Sequence, residues 1–502
     1  MTETEKKKYD QIRQQFAQAA SQENRARAAA DPDRLQLHLM PPAGWLNDPN
    51  GLCEMNGINH IYYQYTPMSP KGDTPKGWGH YTTKNWVDFQ EQAPAFYPDC
   101  LLDEGGAYSG SALPINGRIH YFYTGNRKLD GDYDYINTGR QHWTIHSDSP
   151  DGMTMYDKDV LMTNADYPGN LSCHVRDPKV WQENGEFRMV LGARTLDSRG
   201  QAEIFSSQDL ANWKHLSTIT PEAPFGYMWE CPDIFNLDSR RFLITCPQGV
   251  DRDGLKYENL YQNGYFELDP DLSQSQTVTG FHEFDHGFDF YAPQSFEDEQ
   301  GRRILIAWMG IPDVPYTNRE AEHGWQHALT LPRELYLHHG NLAQYPLKEL
   351  EGLRQEETRL DLQPGAAVQM PGRVCEIQLQ PKEQEWTLKL RQDAVLSYKD
   401  GILSLSLQES GRGRDVRHVS VPAIWSLSIF SDTSSLEIFV NGGLEAMTTR
   451  IYDDPDSLQL ESSVPMHAVM FALDPIRVQA LPEDGQKENI HNPQKYREGD
   501  GE

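Results

Sequence analysis

Three carboxylate side chains stand at turn-like points of the chain, where their type and setting could support acid, base or nucleophilic chemistry. They are Asp48, Asp177 and Glu230. Asp48 lies in an Asn-Asp-Pro-Asn-Gly sequence, and these residue types also form ordinary tight turns, so Asp48 taken alone is interpreted as a turn residue. Trp45 and the aromatic-rich run 60–65 flank it, and a carboxylate among aromatic rings favours sugar chemistry.

Cleavage of a glycosidic bond needs two carboxyl groups: one protonates the leaving oxygen, and the other attacks carbon or activates water. Glu230 stands among aromatic residues and a thiol, and such apolar surroundings favour the protonated form that an acid catalyst needs. Asp48, served by turn amides, is predicted to stay ionised and to act as a nucleophile. Asp177 has Arg176 beside it to keep it charged, and we expect it to hold sugar hydroxyls and to support positive charge in the transition state.

A repeat in the strand-like sequences predicts how these residues could meet. Five β-prone runs recur about sixty residues apart, each after a turn signal, at residues 60–63, 119–123, 187–191, 241–244 and 303–308. A second short strand signal precedes each run, at residues 47–52, 108–113, 176–180, 230–234 and 290–294. Five such antiparallel units predict an all-β fold with a five-bladed β-propeller over residues 35–346.

The equivalent point of every propeller blade faces the central axis at the same end. Asp48, Asp177 and Glu230 occupy such equivalent points, so we expect them to share one funnel although 129 and 53 residues separate them along the sequence. The alternative is that they belong to unrelated hairpin turns, which are rich in Asp in any protein.

The sequence on either side of the predicted propeller has a different character. Residues 1–34 form a predicted helical extension, whose helix covers residues 5–30 and ends before a proline, because the residue that precedes a proline avoids the α region. Residues 347–365 are interpreted as a linker, and alternating apolar residues in 366–482 predict an antiparallel β-sandwich with a structural role. The polar tail 483–502 is expected to be disordered.

Composition excludes several classes of partner. The 502 residues carry a formal net charge of -29, which argues against nucleic acid or an anionic membrane surface as a partner, because both are bound through clustered Lys and Arg. A small neutral ligand fits better, although a few local cations could hold an anionic group on it.

The six cysteines lack the spacing of metal ligands or of a disulfide framework and are interpreted as free thiols in a reducing compartment. Residues 1–30 lack the apolar core of a signal peptide or a membrane span, so a cytoplasmic location is expected.

The chain contains four ordered motifs, at residues 45–51, 108–111, 176–178 and 230–232. Together they resemble glycoside hydrolase family 32, the invertases and fructan hydrolases. Three longer motifs are similar to the bacterial sucrose-6-phosphate hydrolases within that family, at residues 228–235, 287–294 and 329–334. The resemblance implies a propeller followed by a sandwich. It also implies hydrolysis of β-D-fructofuranosides with retention of configuration, with Asp48 as nucleophile, Glu230 as acid and base, and Asp177 as transition-state stabiliser.

The same resemblance implies eight side chains that would bind the sugar: Asn47, Gln64, Trp78, Tyr108, Ser109, Arg176, Tyr291 and Trp308. Trp78 and Trp308 would form aromatic walls. Tyr108 stands where the family usually has Phe, so it could add a hydroxyl group to the edge of the pocket. Because the reaction is ionic, neither a metal nor an organic cofactor is expected.

Three interpretations of the function stay open at the level of sequence. The first is a hydrolase of sucrose or sucrose 6-phosphate, and the missing secretion signal favours the phosphorylated substrate, which would be met inside the cell. The second is a fructan hydrolase or a fructosyltransferase of the same fold. The third is a lectin-like propeller without catalysis, against which the presence of all three acids argues. The residues that would hold a phosphate group cannot be identified, and the oligomeric state, with a homo-oligomer as one alternative, stays open.

Overall fold

The computed structural model describes residues 3–482 and 496–497. Its N-terminal extension contains two helices, α1 (Glu3–Ala19) and α2 (Gln22–Ala29), where the sequence predicted one. The break lies at Ser21, whose hydroxyl caps α2 by accepting a hydrogen bond from the backbone N–H of Asn24. The second helix ends before the proline at position 32, as predicted.

Both helical segments are held to the β-rich part of the chain by ion pairs. Arg13 of α1 pairs with the buried Asp99. Arg25 of α2 donates hydrogen bonds to both carboxylate oxygens of Glu91, each at 2.8 Å. The extension therefore packs on the first β-sheet and its neighbour.

The region that follows, residues 44–346, is built from short strands and one 3-10 helix, Arg319–His323. The strands are β1 (Gly44–Met55), β2 (Ile58–Thr66), β3 (Gly77–Thr83), β4 (Asp88–Phe96), β5 (Ala107–Ile115), β6 (Arg118–Lys128), β7 (Arg140–Ser149), β8 (Lys158–Met162), β9 (Leu171–Glu183), β10 (Glu186–Thr195), β11 (Gly200–Ser207), β12 (Lys214–Pro221), β13 (Met228–Leu237), β14 (Arg240–Gln248), β15 (Gly264–Leu268), β16 (Gln276–Val278), β17 (His282–Glu283), β18 (Tyr291–Glu297), β19 (Arg303–Met309), β20 (Trp325–Gln326), β21 (Ala328–Leu329), β22 (Arg333–His338) and β23 (Asn341–Pro346).

The described residues after position 346 contain two 3-10 helices, Lys348–Leu353 and Glu409–Gly411, and fourteen strands. They are β24 (Arg354–Leu362), β25 (Ala367–Gln369), β26 (Cys375–Pro381), β27 (Trp386–Leu390), β28 (Ala394–Lys399), β29 (Ile402–Ser406), β30 (Val416–Ser420), β31 (Leu427–Asp432), β32 (Ser435–Val440), β33 (Glu445–Arg450), β34 (Gln459–Ser462), β35 (Met466–Leu473), β36 (Arg477–Gln479) and β37 (Tyr496–Arg497).

The first region contains five sheets, and each is built around one of the predicted antiparallel pairs. The pairs are β1/β2, β5/β6, β9/β10, β13/β14 and β18/β19. The first strands of these pairs contact one another in a closed order, because β1 contacts β5, β5 contacts β9, β9 contacts β13, β13 contacts β18, and β18 contacts β1. All five predicted pairs of strands are therefore present, and their first strands surround a common centre.

Each of the five pairs has a shift in register at the corresponding place, where two residues of the first strand oppose one of the second. The residues that the pairing skips are Asn47-Asp48, Tyr108-Ser109, Asp177-Pro178, Cys231-Pro232 and Ala292-Pro293. Three of them adopt positive φ angles, 64° at Asp177, 47° at Cys231 and 49° at Ala292. A bulge of this kind re-aims side chains out of the regular alternation of a strand. The repeated bulge is thus the local feature that turns the candidate site residues toward the common centre.

Two six-stranded sheets form the sandwich of the second region, with strand orders β24-β35-β26-β31-β32-β33 and β25-β34-β27-β28-β29-β30. Alternate apolar residues of both sheets, such as Ile377, Leu405 and Ile429, are buried in one shared core. The predicted linker 347–365 differs from the structure, because β24 already begins at Arg354 and pairs with β35. The sandwich also ends before the predicted boundary at residue 482, because β36 is not part of its sheets and pairs in parallel with β4 of the first sheet.

Buried ion pairs join the two regions. Arg333 donates to Glu437 at 2.6 Å, and Arg414 donates to both oxygens of Asp289 at 2.7 Å. His38 lies between the carboxylates of Asp432 and Glu437, at 2.7 and 2.9 Å. This interface and the ring of bulged strands together fix the frame in which the candidate site lies.

Three further sequence predictions concern the polar tail, membrane-spanning segments and the cysteines. The predicted polar tail 483–502 lies outside the described residues except for β37, which pairs in parallel with β8. Within the described ranges, no helix has both the length and the apolar composition to cross a membrane. All six cysteines are buried and unpaired with one another, as predicted.

Candidate active site

A cavity of about 360 Å³ opens where the bulged ends of the five first strands meet. Its lining contains the three predicted acids and most of the predicted binding residues. The lining residues are Trp45, Asn47, Asp48, Gln64, Lys76, Tyr108, Ser109, Arg140, His142, His174, Arg176, Asp177, Glu230, Gln248, Tyr291, Trp308 and Pro312.

Asp48 is held by side chains of its own strand and of the next sheet. Its Oδ2 accepts a hydrogen bond from Ser109 Oγ at 2.6 Å, and its Oδ1 accepts one from Asn47 Nδ2 at 3.0 Å. The sequence predicted that backbone amides of the turn would donate hydrogen bonds to Asp48, whereas in the structure side chains donate them. Burial raises the pKa of Asp48 above its usual value, and the two hydrogen bonds act in the opposite direction.

Asp177 is buried at the bulge of β9, and its Oδ2 accepts a hydrogen bond from the backbone N–H of Cys231 at 2.9 Å. Burial raises the pKa of Asp177 to about 7; the carboxylates of Glu230 and Asp48 add to the rise, and Arg176 opposes it. Arg176 acts in the expected direction, because it lowers the pKa of Asp177, but it does not offset the effect of burial. Arg176 Nε lies 3.9 Å from Asp177, and its guanidinium group faces Glu230 instead.

Both carboxylate oxygens of Glu230 have side-chain donors. Oε1 accepts hydrogen bonds from Arg176 Nη2 at 2.6 Å and Nε at 3.1 Å, and Oε2 accepts one from the Tyr291 hydroxyl at 2.6 Å. The sequence predicted apolar surroundings for this residue, and the ion pair with Arg176 corrects that prediction. Tyr291, predicted to bind the sugar, lines the cavity and also orients Glu230.

The three acids are brought together around Cys231. Its backbone N–H donates to Asp177, its Sγ lies 3.8 Å from Asp48 Oδ2, and it follows Glu230 in the chain. The clustering expected from the repeat is thus present in the structure. Such a group can attack carbon, transfer a proton and stabilise positive charge at one place.

Seven of the eight predicted binding residues line this cavity, and Trp78 does not. Trp78 is fully buried beside Phe96 and Tyr123, and its Nε1–H donates to the backbone oxygen of Tyr108 at 3.1 Å. It therefore supports the wall from behind and is not an aromatic surface for a sugar. Trp45 lines the cavity together with Trp308, whose buried Nε1–H has no hydrogen-bond partner within the described residues.

The sequence reasoning missed several lining residues, notably Lys76, Arg140, His142 and His174. The first three lie at or just before the start of β3 and β7, strands for which the repeat made no site prediction. A signal for His174 did exist, because it stands two residues before Arg176 in the same strand. Arg176 Nη1 donates to its Nδ1 at 2.7 Å.

The two histidines add hydrogen-bonding atoms to this side of the cavity without adding charge. Burial, Arg176 and Arg140 lower the pKa of His174 to about 3, and the same influences hold the pKa of His142 well below its usual range. His142 Nδ1 is buried without a partner in the described part of the chain.

Family models match most of the chain. Residues 38–346 match the Glycosyl hydrolases family 32 N-terminal domain, and residues 391–469 match the Glycosyl hydrolases family 32 C terminal. The chain belongs to glycosyl hydrolase family 32. The mostly β fold agrees with the propeller and C-terminal β-sandwich expected for family 32.

Family 32 relatives are similar over nearly the whole length. Sucrose-6-phosphate hydrolase from Bacillus subtilis (strain 168) is 38% identical over 454 residues, which cover 87% of this chain and 92% of that protein. The structure of sucrose-6-phosphate hydrolase from Lactobacillus gasseri has a TM-score of 0.84 at 28% identity, covering 92% of this chain and 97% of that one. A family 32 β-fructofuranosidase of Bombyx mori in complex with sucrose has a TM-score of 0.80 at 28% identity, covering 96% and 100%.

Proposed function

We propose that the chain is a retaining β-fructofuranosidase that hydrolyses the terminal β-D-fructofuranosyl bond of sucrose and of sucrose 6-phosphate. The observation that carries this proposal is the clustering of Asp48, Asp177 and Glu230 around Cys231 in one cavity. Glycosidic cleavage needs two carboxyl groups at the anomeric carbon, and a third carboxylate can stabilise the charged transition state. The names of the Bacillus subtilis and Lactobacillus gasseri relatives and the sucrose complex of the Bombyx mori relative support these substrates.

The proposed reaction has two steps at the anomeric carbon of the fructosyl unit. In the first step, a carboxylate oxygen of Asp48 attacks this carbon while Glu230 gives its proton to the glycosidic oxygen, so glucose or glucose 6-phosphate leaves. In the second step, water attacks the fructosyl–Asp48 ester, Glu230 takes the proton from water, and fructose and the Asp48 carboxylate are restored. Two inversions at one carbon give net retention of configuration.

In the proposed reaction, Arg176 acts when substrate binds, before proton transfer from Glu230. The Arg176 guanidinium group donates two hydrogen bonds to Glu230 Oε1, at 2.6 and 3.1 Å. We infer that fructosyl hydroxyl groups take over hydrogen bonds of Arg176 when substrate binds. Glu230 Oε1 can then face the glycosidic oxygen, while the hydrogen bond from Tyr291 to Oε2 keeps the carboxyl group oriented.

The finer architecture is part of the proposal. We infer that the five sheets of residues 35–346 are five propeller blades, which the closed order of contacts among β1, β5, β9, β13 and β18 supports. The sandwich would then begin at Arg354 and end with β35.

The proposed partner is a small sugar, and the proposed location is the cytoplasm. Six buried cysteines that form no disulfide bonds agree with a reducing compartment.

Product analysis by NMR tests the proposal with three substrates, sucrose, sucrose 6-phosphate and a short inulin. We expect release of glucose or glucose 6-phosphate, with β-D-fructofuranose as the first-formed anomer. Release of the α anomer first would contradict the nucleophilic role of Asp48. Faster release of fructose from inulin, or products longer than the substrate, would favour the fructan hydrolase or the fructosyltransferase. No turnover of any of the three sugars would overturn the proposed function.

A further inference from the structure

One side of the cavity carries two cations and a phenol, and these three residues are contiguous in the fold. Lys76, Tyr108 and Arg140 form this cationic wall. The backbone oxygen of Lys76 accepts a hydrogen bond at 2.9 Å from the backbone N–H of the residue before Tyr108. Arg140 Nη1 donates at 2.9 Å to Oδ1 of Asn126. The backbone N–H of Asn126 in turn donates at 3.0 Å to the backbone oxygen of Gly106. The wall therefore runs along the junction of the first two sheets.

Within the described ranges, neither cation of the wall makes an ion pair with a carboxylate, although the chain contains 74 acidic and 45 basic residues. Asp48 and Asp73 act on Lys76 only from a longer range, where their charges oppose the lowering of its pKa by burial. Lys76 Nζ donates to the backbone oxygen of Gly72 at 2.8 Å, and Arg140 donates to Asn126 and to the backbone oxygen of Tyr135. Neither makes an ion pair with any described residue. The Tyr108 hydroxyl likewise has no hydrogen-bond partner in the described ranges.

Neighbouring cations outside the cavity behave differently. Lys8 and Arg127 lie around the hollow that adjoins the wall, and both pair with Glu104, at 2.7 and 2.9 Å. Glu104 thus neutralises Lys8 and Arg127, whereas Lys76 and Arg140 make no ion pair with any described residue. Because acidic side chains outnumber basic ones in this chain, two unpaired cations in one cavity indicate an anionic ligand group.

The position of the wall limits where such a group can bind. The part of the cavity around Asp48, Asp177 and Glu230 would repel an anion, and the remaining cation, Arg176, is already paired with Glu230. The wall lies at the side of this acidic cluster. Lys76 and Tyr108 also line the adjoining hollow of about 660 Å³, so there is room beside them for the sugar unit that leaves.

We propose that Lys76, Tyr108 and Arg140 bind the 6-phosphate group of the glucosyl unit of sucrose 6-phosphate and so determine the preference for the phosphorylated substrate. This inference rests on the proposed function and specifies its substrate. The ammonium, phenol and guanidinium groups are all hydrogen-bond donors, and a guanidinium group can engage two phosphate oxygens at once. The histidines of the same side, being neutral, would contribute hydrogen bonds but no charge.

The test compares kcat/KM for sucrose 6-phosphate with kcat/KM for sucrose in the wild type and in the variants Arg140→Gln and Lys76→Gln. Loss of a charge-assisted phosphate contact is expected to lower this ratio by about tenfold or more in each variant. Tyr108→Phe removes a neutral donor and is expected to lower the ratio by only about three- to fivefold. Product inhibition by glucose 6-phosphate is expected to weaken more in Arg140→Gln and Lys76→Gln than in Tyr108→Phe.

Lys84→Gln is the matched control. Lys84 is exposed, follows β3 at the end opposite to Lys76, and lines neither the cavity nor the adjoining hollow. The control removes one lysine charge, and its ratio should stay within about twofold of the wild type because solvent and salt screen distant charges. Thermal unfolding of each variant checks that the fold is retained.

Three outcomes would overturn the inference. A ratio near one in the wild type would leave the hydrolase intact and remove the phosphate site. Unchanged ratios in folded Arg140→Gln and Lys76→Gln variants would also remove the phosphate site. An equal loss in the Lys84→Gln control would do so too. Failure of the wild type to hydrolyse either sugar is a separate result, because it would overturn the proposed function itself.

Discussion

The buried carboxylates of the cavity and those of the interface between the two regions are alike in type and burial, yet their ionisation is displaced in opposite directions. In the cavity, burial raises the pKa of Asp48 and brings that of Asp177 to about 7. At the interface, burial acts in the same sense, but Arg414 holds the pKa of Asp289 below its usual range, and Arg333 and His38 do the same for Glu437.

The difference lies in the cations and not in the depth of burial. Interface carboxylates have a guanidinium or imidazolium group within 3 Å, as in the 2.7 Å contacts between Arg414 and Asp289. The hydrogen-bond donors to Asp48 in the described chain are all neutral: the side chains of Ser109 and Asn47 and the thiol of Cys231. A cation that neutralised Asp48 would weaken it as a nucleophile, whereas an unpaired carboxylate at the interface would destabilise the fold.

Asp48→Asn should have the largest effect on activity and little or none on stability. We expect kcat to fall on the order of 10,000-fold, because the nucleophile is lost. The free energy of unfolding should stay the same or rise, since a carboxylate with a raised pKa destabilises the folded state above that pKa. Kinetics and urea unfolding of the same preparation check this. A marked loss of stability would show that this carboxylate is structural.

Glu437→Gln should have the opposite effects, a large loss of stability and little change in activity. The substitution leaves Arg333 without its closest carboxylate in a fully buried place, and we expect a loss of about 3–5 kcal/mol in the free energy of unfolding. Glu461→Gln is the control, because its pair with Lys389 is exposed and should contribute less than about 1 kcal/mol. Equal midpoints of urea unfolding for the two variants would contradict the comparison.

The pH dependence of stability provides a smaller test of the interface. Burial alone would lower the pKa of His38, but hydrogen bonds to Asp432 and Glu437 raise it from 6.5 to about 9. Its stabilisation is therefore fully present below pH 6.5 and is lost as pH rises through 9, a change of about 3 kcal/mol. His38→Gln should flatten the stability profile across this window. If the profiles of the variant and the wild type run parallel there, His38 is neutral in the folded protein.

Much of the fold could be predicted because it repeats. Each predicted strand pair recurs with similar turn signals, and the equivalent positions in the repeat are enough to predict that Asp48, Asp177 and Glu230 lie together. Features that depend on single side-chain contacts could not be predicted. Arg176 adjoins Asp177 in sequence but faces Glu230, because the bulge between them turns successive side chains apart.

Other features that could not be predicted from the sequence also depend on contacts formed only in the folded chain. Trp78 sits in β3 between two glycines, and no local pattern indicates that its ring turns into the core. The cationic wall is assembled from the starts of β3, β5 and β7, whose proximity is a property of the folded chain alone. Likewise, the hydrophilic sequence of β24 resembles a linker, and only its pairing with β35 makes it a strand.

The return of β36 to the first sheet has a consequence for dissecting this protein. This strand covers the outer edge of β4, whose N–H and C=O groups would otherwise face solvent as an open template for another chain. A fragment cut after residue 346 would expose that edge as well as the partners of the buried ion pairs. Self-association of such fragments is therefore built into the topology, and the catalytic half is best expressed with its C-terminal companion.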